Sequence, residues 1–204
     1  IQDDENWTEI VNKGRIEGHI FLGDGSDDLD TRKGEVTGFV FGGDGHDTYM
    51  TSRSNLKIVE NVNEGEDTVV STATFTLPDN VEALYLLGGK DVDGTGNELA
   101  NSMTGNRGDN RLLGLGGDDR MSGGAGNDRL TGGAGLDTFR FNADEDKEIV
   151  TDFDPLVDQI LIDSNITSID TRAEVESRLQ QHGDDVWLTA GGTTMVLKNV
   201  DVNE

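Results

Sequence analysis

Between Gly96 and Arg140 an apolar residue returns every nine positions: Met103, Leu112, Met121, Leu130 and Phe139. The units read GNELANSMT, GNRGDNRLL, GLGGDDRMS, GGAGNDRLT and GGAGLDTFR, with the apolar residue at the eighth place. The sixth place carries Asn101, Asn110, Asp119, Asp128 and Asp137. Two columns that keep fixed offsets through consecutive units mark a genuine repeat, and a fixed period means a solenoid. If the last three residues of a unit form a short strand, only the middle one faces inward, so one apolar residue per unit suffices. Glycines at the first, second and fourth places permit positive φ, and the six residues before the strand are expected to turn sharply with their carbonyls inward. The predicted fold is all-β, a right-handed parallel β-roll or β-helix solenoid with two units per coil.

A looser series lies upstream. KGRIEGHIF, LGDGSDDLD, GGDGHDTYM and VNEGEDTVV place Ile20, Leu29, Tyr49 and Val69 in the apolar column and Asp27, Asp47 and Asp67 in the acidic one. Segments of eleven residues starting at Thr31 and Thr51 separate them and carry Val40 and Ile58 instead. From Ser71 to Thr95 glycine thins out and Phe75, Leu77, Leu84, Leu86 and Leu87 take over. Beyond the repeats, Thr171-Arg-Ala-Glu174 is a capping-box pattern that opens a helix through about Gln181, stopped by Gly183. Val186-Trp187-Leu188 and Met195-Val196-Leu197 around Gly191-Gly192 predict a terminal hairpin, and helix and hairpin together form a small cap on the open end. The expected division is a lead-in at 1–12, a first roll at 13–70, linking coils at 71–95, a second roll at 96–141 and the cap at 142–204.

Stacking gives the acidic column its chemistry. Units two apart share an edge at strand spacing, roughly 4.8 Å. Asp27, Asp47 and Asp67 therefore line one edge upstream; downstream, Asn101, Asp119 and Asp137 share an edge, and Asn110 and Asp128 the opposite one. Two carboxylates about 5 Å apart repel by roughly 3 kcal/mol at an effective dielectric near 20, so a divalent cation is needed between them. Carboxylate and carbonyl oxygens without His or Cys are a calcium ligand set, and magnesium tolerates such irregular cages poorly.

Composition agrees. Of 204 residues 28 are Gly, and 41 Asp+Glu against 16 Lys+Arg give a net charge of -25. Such charge argues against nucleic acid or an anionic membrane as partner, and no apolar run is long enough to span a bilayer. Cysteine is absent, which leaves the redox compartment open. The chain opens at Ile1 without Met or a signal segment and is expected to be a piece of a longer protein.

The series resembles the RTX (repeats-in-toxin) nonapeptide G-G-x-G-x-D-x-U-x, over roughly Lys13 to Arg140. In that family calcium sits between stacked turns, held by the aspartate and turn carbonyls. By position the resemblance implies ligands from Gly23, Gly25 and Asp27; from Gly43, Gly45 and Asp47; and from Gly65 and Asp67. Downstream it implies Gly114, Gly116, Gly117 and Asp119; Gly123, Gly124, Gly126 and Asp128; and Gly132, Gly133, Gly135 and Asp137. Asn101 and Asn110 are neutral, weaker versions. Leu22 and Leu115 stand where turn glycines are expected, and Gly38 where Asp is expected. Glu148 to Asp163 looks like the family's closing sheet segment, with Asp152, Asp154 and Asp158 placed to ligate a last calcium or to act as turn residues.

The resemblance further implies a secreted bacterial protein that uses type I secretion machinery, like the C-terminal domain of serralysins and the repeat modules of alginate epimerases. The ending LKNVDVNE resembles the approach to that family's export signal, cut short. No enzyme activity is expected of the chain itself: His19, His46 and His182 form no H-E-x-x-H, and G-x-S-x-G and a P-loop are absent. Calcium-triggered folding after export is the expected function. One alternative is a polysaccharide-binding or adhesive module, with Arg111, Arg120, Arg129 and Arg140 pointing outward and Arg111 and Arg129 on one face towards an anionic polymer. A second is the non-catalytic part of a secreted polysaccharide-modifying enzyme or protease.

Overall fold

The computed structural model describes residues 7–142, 146–163, 166 and 172–201. Its strands are short because each carries little more than the apolar residue it must bury and the neighbours on either side. Glu9–Val11, Asp28–Asp30, Thr48–Thr51, Thr68–Ser71, Ala83–Leu86, Ser102–Thr104, Arg120–Ser122, Thr138–Phe141 and Gln159–Ile162 form one nine-stranded sheet in that order. Every neighbouring pair in it is parallel.

Between these strands the chain crosses to a second wall. Ile20–Phe21, Phe39–Phe41 and Lys57–Val59 form its upstream part. Phe75–Thr76, Gly94–Thr95, Arg111–Gly116, Asn127–Ala134 and Lys147–Val150 begin the eight-stranded sheet that continues it. The result is a parallel β-solenoid of about eight coils with almost no helix.

The core is the apolar column. Leu29, Tyr49, Val69, Leu84, Met103, Met121 and Phe139 lie in continuous register along the nine-stranded sheet, and all are buried. Val40, Ile58, Leu112, Leu130 and Val150 face them from the other wall. Phe75, Leu77, Leu84 and Leu86 fill the glycine-poor coils, whereas Leu87 is exposed.

At the C-terminal end, Thr193–Leu197 joins Lys147–Val150 in parallel and turns back on Asp185–Ala190 in antiparallel fashion, as the hairpin pattern predicts. The helix is shorter than expected, Arg172–Arg178, and Thr171 of its capping box lies outside the described residues. Leu179–His182 forms a strand on Asp185–Ala190 instead, because pairing with the hairpin satisfies its backbone at the open sheet edge.

Candidate metal centre

One edge of the solenoid carries an unbroken column of polar side chains, each two residues before an inward apolar residue: Asp27, Asp47, Asp67, Glu82, Asn101, Asp119, Asp137 and Asp158. Their oxygens tie successive coils together. Asp27 accepts from the Thr8 backbone amide at 2.6 Å, Asp47 from that of Asp27 at 2.8 Å and Asp67 from that of Asp47 at 2.8 Å. Glu82 continues the series through the Asp67 amide at 2.8 Å. Downstream, the Asn101, Asp119 and Asp137 amides donate to Asp119, Asp137 and Asp158 at 2.7, 3.0 and 3.0 Å. The two upstream and downstream series, read separately from the sequence, are thus one edge. Opposite it, Asn110 donates its backbone amide to Asp128 at 2.8 Å, and Glu148 lies in register with Asp128 while accepting from the Gly123 amide.

One oxygen of each of these aspartates is occupied in this way. The other has a different fate. Asp27, Asp47, Asp67, Asp119, Asp128 and Asp137 are all at most 1% exposed, and in Asp27, Asp67 and Asp119 the second carboxylate oxygen, Oδ2, has no hydrogen-bond partner. A buried ionised carboxylate is costly unless something neutralises it. Burial, with neighbouring carboxylates adding to it, pushes Asp119 up to about 7 and Asp47 and Asp67 up to about 6, against the pull of their backbone hydrogen bonds. Asp137 is raised for the same first reason, its burial. Bare buried oxygens in a setting of carboxylates and carbonyls suit a hard cation.

The turn glycines play two distinct parts. At the second and fourth places Gly43, Gly45, Gly124, Gly126, Gly133 and Gly135 have φ between 92° and 141°, as do Gly23, Gly25 and Gly117. The first-place glycines do not take up this conformation. A Cβ on Gly114 or Gly132 would lie 2.0 Å from the Oδ2 of Asp119 or Asp137, and one on Gly123 2.3 Å from that of Asp128. Space for the carboxylate, and not backbone freedom, selects glycine there. Gly65 is likewise a close-approach position, 1.6 Å from the Gly45 carbonyl at its would-be Cβ. Gly116 shares its turn with Leu115, which holds φ at 88° in the glycine's stead.

Asn101 and Asn110 occupy the columns but present donors. Asn101 Nδ2 reaches the Val81 carbonyl at 3.3 Å and Asn110 Nδ2 that of Val92 at 2.6 Å. Second-place asparagines assist: Asn97 donates to the Pro78 and Val81 carbonyls, and Asn106 to those of Leu87 and Lys90. In the last coil both oxygens of Asp152 are taken, by the Gly132 and Gly133 amides. Asp154 and Asp158 bond each other's segment, Asp154 N donating to Asp158 at 2.8 Å.

A family model described as the RTX calcium-binding nonapeptide repeat (4 copies) matches residues 95–130, 104–139 and 113–147. Residues 95–147 are RTX repeats. RTX nonapeptide repeats bind calcium ions. The coils upstream of the RTX stretch lie outside the matched residues, yet they repeat its aspartate ladder and its turn geometry. Among solved structures, the extracellular lipase LipA from Serratia marcescens is similar at a TM-score of 0.48 and 17% identity, over 99% of this chain. The chain spans 39% of that lipase. No curated protein matches it in sequence.

Three acidic residues escaped the nonapeptide rule. Glu82 and Glu148 belong to the columns, and Glu60, 5% exposed, is pushed up to about 8 by its burial, with Asp67 and Asp47 adding to the effect against a hydrogen bond from Tyr49. For the first two a signal exists: both precede a buried apolar residue by two places, Leu84 and Val150, as the aspartates do.

Proposed function

We propose that this chain is a calcium-operated folding domain of a larger, exported bacterial protein, unfolded where calcium is scarce and wound into the β-roll where it is millimolar. The observation that carries this reading is the set of buried aspartates whose Oδ2 atoms have no partner, at Asp27, Asp67 and Asp119. At ten times its dissociation constant a bound ion adds about 1.4 kcal/mol, so about six ions add about 8 kcal/mol, comparable with the whole stability of a domain, roughly 5–15 kcal/mol. The coils at 13–70 and 96–141 take the calcium, and the segment 71–95 joins them without it. Asn101 and Asn110 close their turns with amide donors in place of an ion. The RTX resemblance supports the type I secretion machinery as partner and an extracellular destination, and in this reading the chain itself acts as a binding and folding element and not as an enzyme. Circular dichroism at about pH 8, in chelator and then in millimolar calcium, tests this: at that pH, at or above the raised carboxyl values, strand signal is expected only with calcium, and a fully folded spectrum in chelator would defeat it.

A second reading, a module that binds an anionic polysaccharide, draws on Arg111 and Arg129, which are exposed and in direct register on adjacent strands. Arg140 is engaged by Asp163. Weaker binding to an alginate-like polymer by the Arg111→Ala/Arg129→Ala variant, with calcium present, is the expected result for that reading.

A further inference from the structure

The coil at 48–60 departs from the others. Phe41 pairs with Val59 and Thr48 with Thr68, so residues 60–67 cross the same edge that 42–47 cross one coil earlier, by a longer path. The extra length is latched by Glu64, which accepts from the Asn61 backbone and side-chain amides at 2.6 and 2.7 Å. It begins with Glu60, whose main-chain carbonyl is held by the Asn80 amide at 2.9 Å.

That path turns the Glu60 carboxylate inward over Gly42. A Cβ on Gly42 would lie 2.1 Å from the Tyr49 hydroxyl, 2.2 Å from Glu60 Oε1 and 2.3 Å from Asp47 Oδ2, so three oxygens converge on the space this glycine leaves. Asp67 completes the group: carboxylate oxygens of Asp47, Glu60 and Asp67 all lie within 4.8 Å of one another. Tyr49 donates its hydroxyl to Glu60, and its contact with Asp47 is 3.3 Å. Glu60 is 5% exposed and Asp67 1%, and Glu60 Oε2 and Asp67 Oδ2 have no hydrogen-bond partner. Among the described residues no Lys or Arg forms an ion pair with any of the three. Three buried carboxylates without a counter-charge cannot all stay ionised unless a cation joins them.

We propose that Asp47, Glu60 and Asp67, with the Tyr49 hydroxyl beside them, form a calcium site of their own inside the coil, fed by a side chain that the nonapeptide column does not contain. The all-oxygen donor set selects a hard cation, and three carboxylates with room for carbonyls and water suit calcium. The inference rests on the calcium reading above only for the identity of the ion.

Equilibrium dialysis of the full chain against saturating calcium decides it. Glu60→Gln keeps the side chain's size and removes one charge; it is expected to bind one calcium fewer per chain than the parent while reaching the same circular dichroism spectrum. An unchanged stoichiometry overturns the site. Asp119→Asn, remote from this coil, separates the two readings. If it loses an ion and Glu60→Gln does not, the triad fails alone; if the parent chain binds no calcium, the proposed function fails and the triad with it. Should Glu60→Gln fail to fold, terbium supplies the answer. Emission excited through tyrosine is expected to drop severalfold in Tyr49→Phe and to persist in Tyr85→Phe, and equal emission from parent and Tyr49→Phe overturns the site.

Discussion

Gly23 and Gly43 hold equivalent places in consecutive coils, at φ 110° and 103°, yet their surroundings differ. A Cβ on Gly23 would meet nothing within 4 Å, whereas a Cβ on Gly43 would fall 2.1 Å from the Gly23 carbonyl. Gly23→Ala is therefore expected to cost about 1–3 kcal/mol from backbone strain alone. Gly43→Ala adds a backbone clash and is expected to cost visibly more, read as a higher calcium midpoint for folding; equal midpoints would show that the stacked turns can spread. Leu115, at φ 88° with 37% of its surface exposed, carries the same strain in the native chain. Leu115→Gly is expected to stabilise the folded state by about 1 kcal/mol, the relieved strain exceeding the extra freedom glycine gives the unfolded chain. Thermal unfolding at saturating calcium measures it. The sequence marks both kinds of glycine identically, which is why the first-place residues read as conformational when Asp119 and Asp137 in fact need their space.

At the scale of one coil, the aspartate turns and the asparagine turns solve the same problem with opposite means. Carbonyls converge in both. In one the side chain leaves a buried oxygen without a hydrogen-bond partner, as at Asp119, and in the other Asn97 and Asn101 supply amide donors to the Val81 carbonyl at 2.8 and 3.3 Å. Asn101→Asp exchanges the donors for another charge in a column already holding Glu82 and Asp119. At a calcium concentration just sufficient to fold the chain it is expected to loosen the coils around Ala83–Leu86 and Ser102–Thr104, seen as faster amide hydrogen exchange there; unchanged exchange under those conditions would show that the asparagines do not hold those turns. Asn and Asp occupy one column in the sequence, so the period was legible from Gly96 to Arg140 but the difference in role was not: it depends on which carbonyls the preceding coil brings within reach. Glu60 was hidden for a related reason, since its place in the site comes from a lengthened turn that breaks the nine-residue count. The end of the cap helix was obscured by the hairpin, whose free edge captures Leu179–His182.

For the whole molecule the buried carboxyls set a dependence on pH that opposes the usual one. Asp47 and Asp67 near 6, Asp119 near 7 and Glu60 near 8 hold their protons more tightly when folded than an unfolded carboxyl does, at roughly 4. The folded, metal-free chain therefore binds more protons than the unfolded one between about pH 4 and pH 8, and its stability falls as pH rises through that window. The stabilising contribution is complete below about pH 4 and lost above the folded values, and the net charge of -25 at pH 7 acts in the same direction through self-repulsion. Calcium reverses the balance, because it takes the place of those protons. In chelator the chain is expected to show more strand signal at about pH 5 than at about pH 8, while the calcium concentration that half-folds it rises as pH falls from about 8 to about 5, protons and calcium competing for the same oxygens. Circular dichroism titrations at the two pH values give both numbers; a metal-free chain that gains structure as pH rises would mean that the buried column is neutralised by something other than protons or metal.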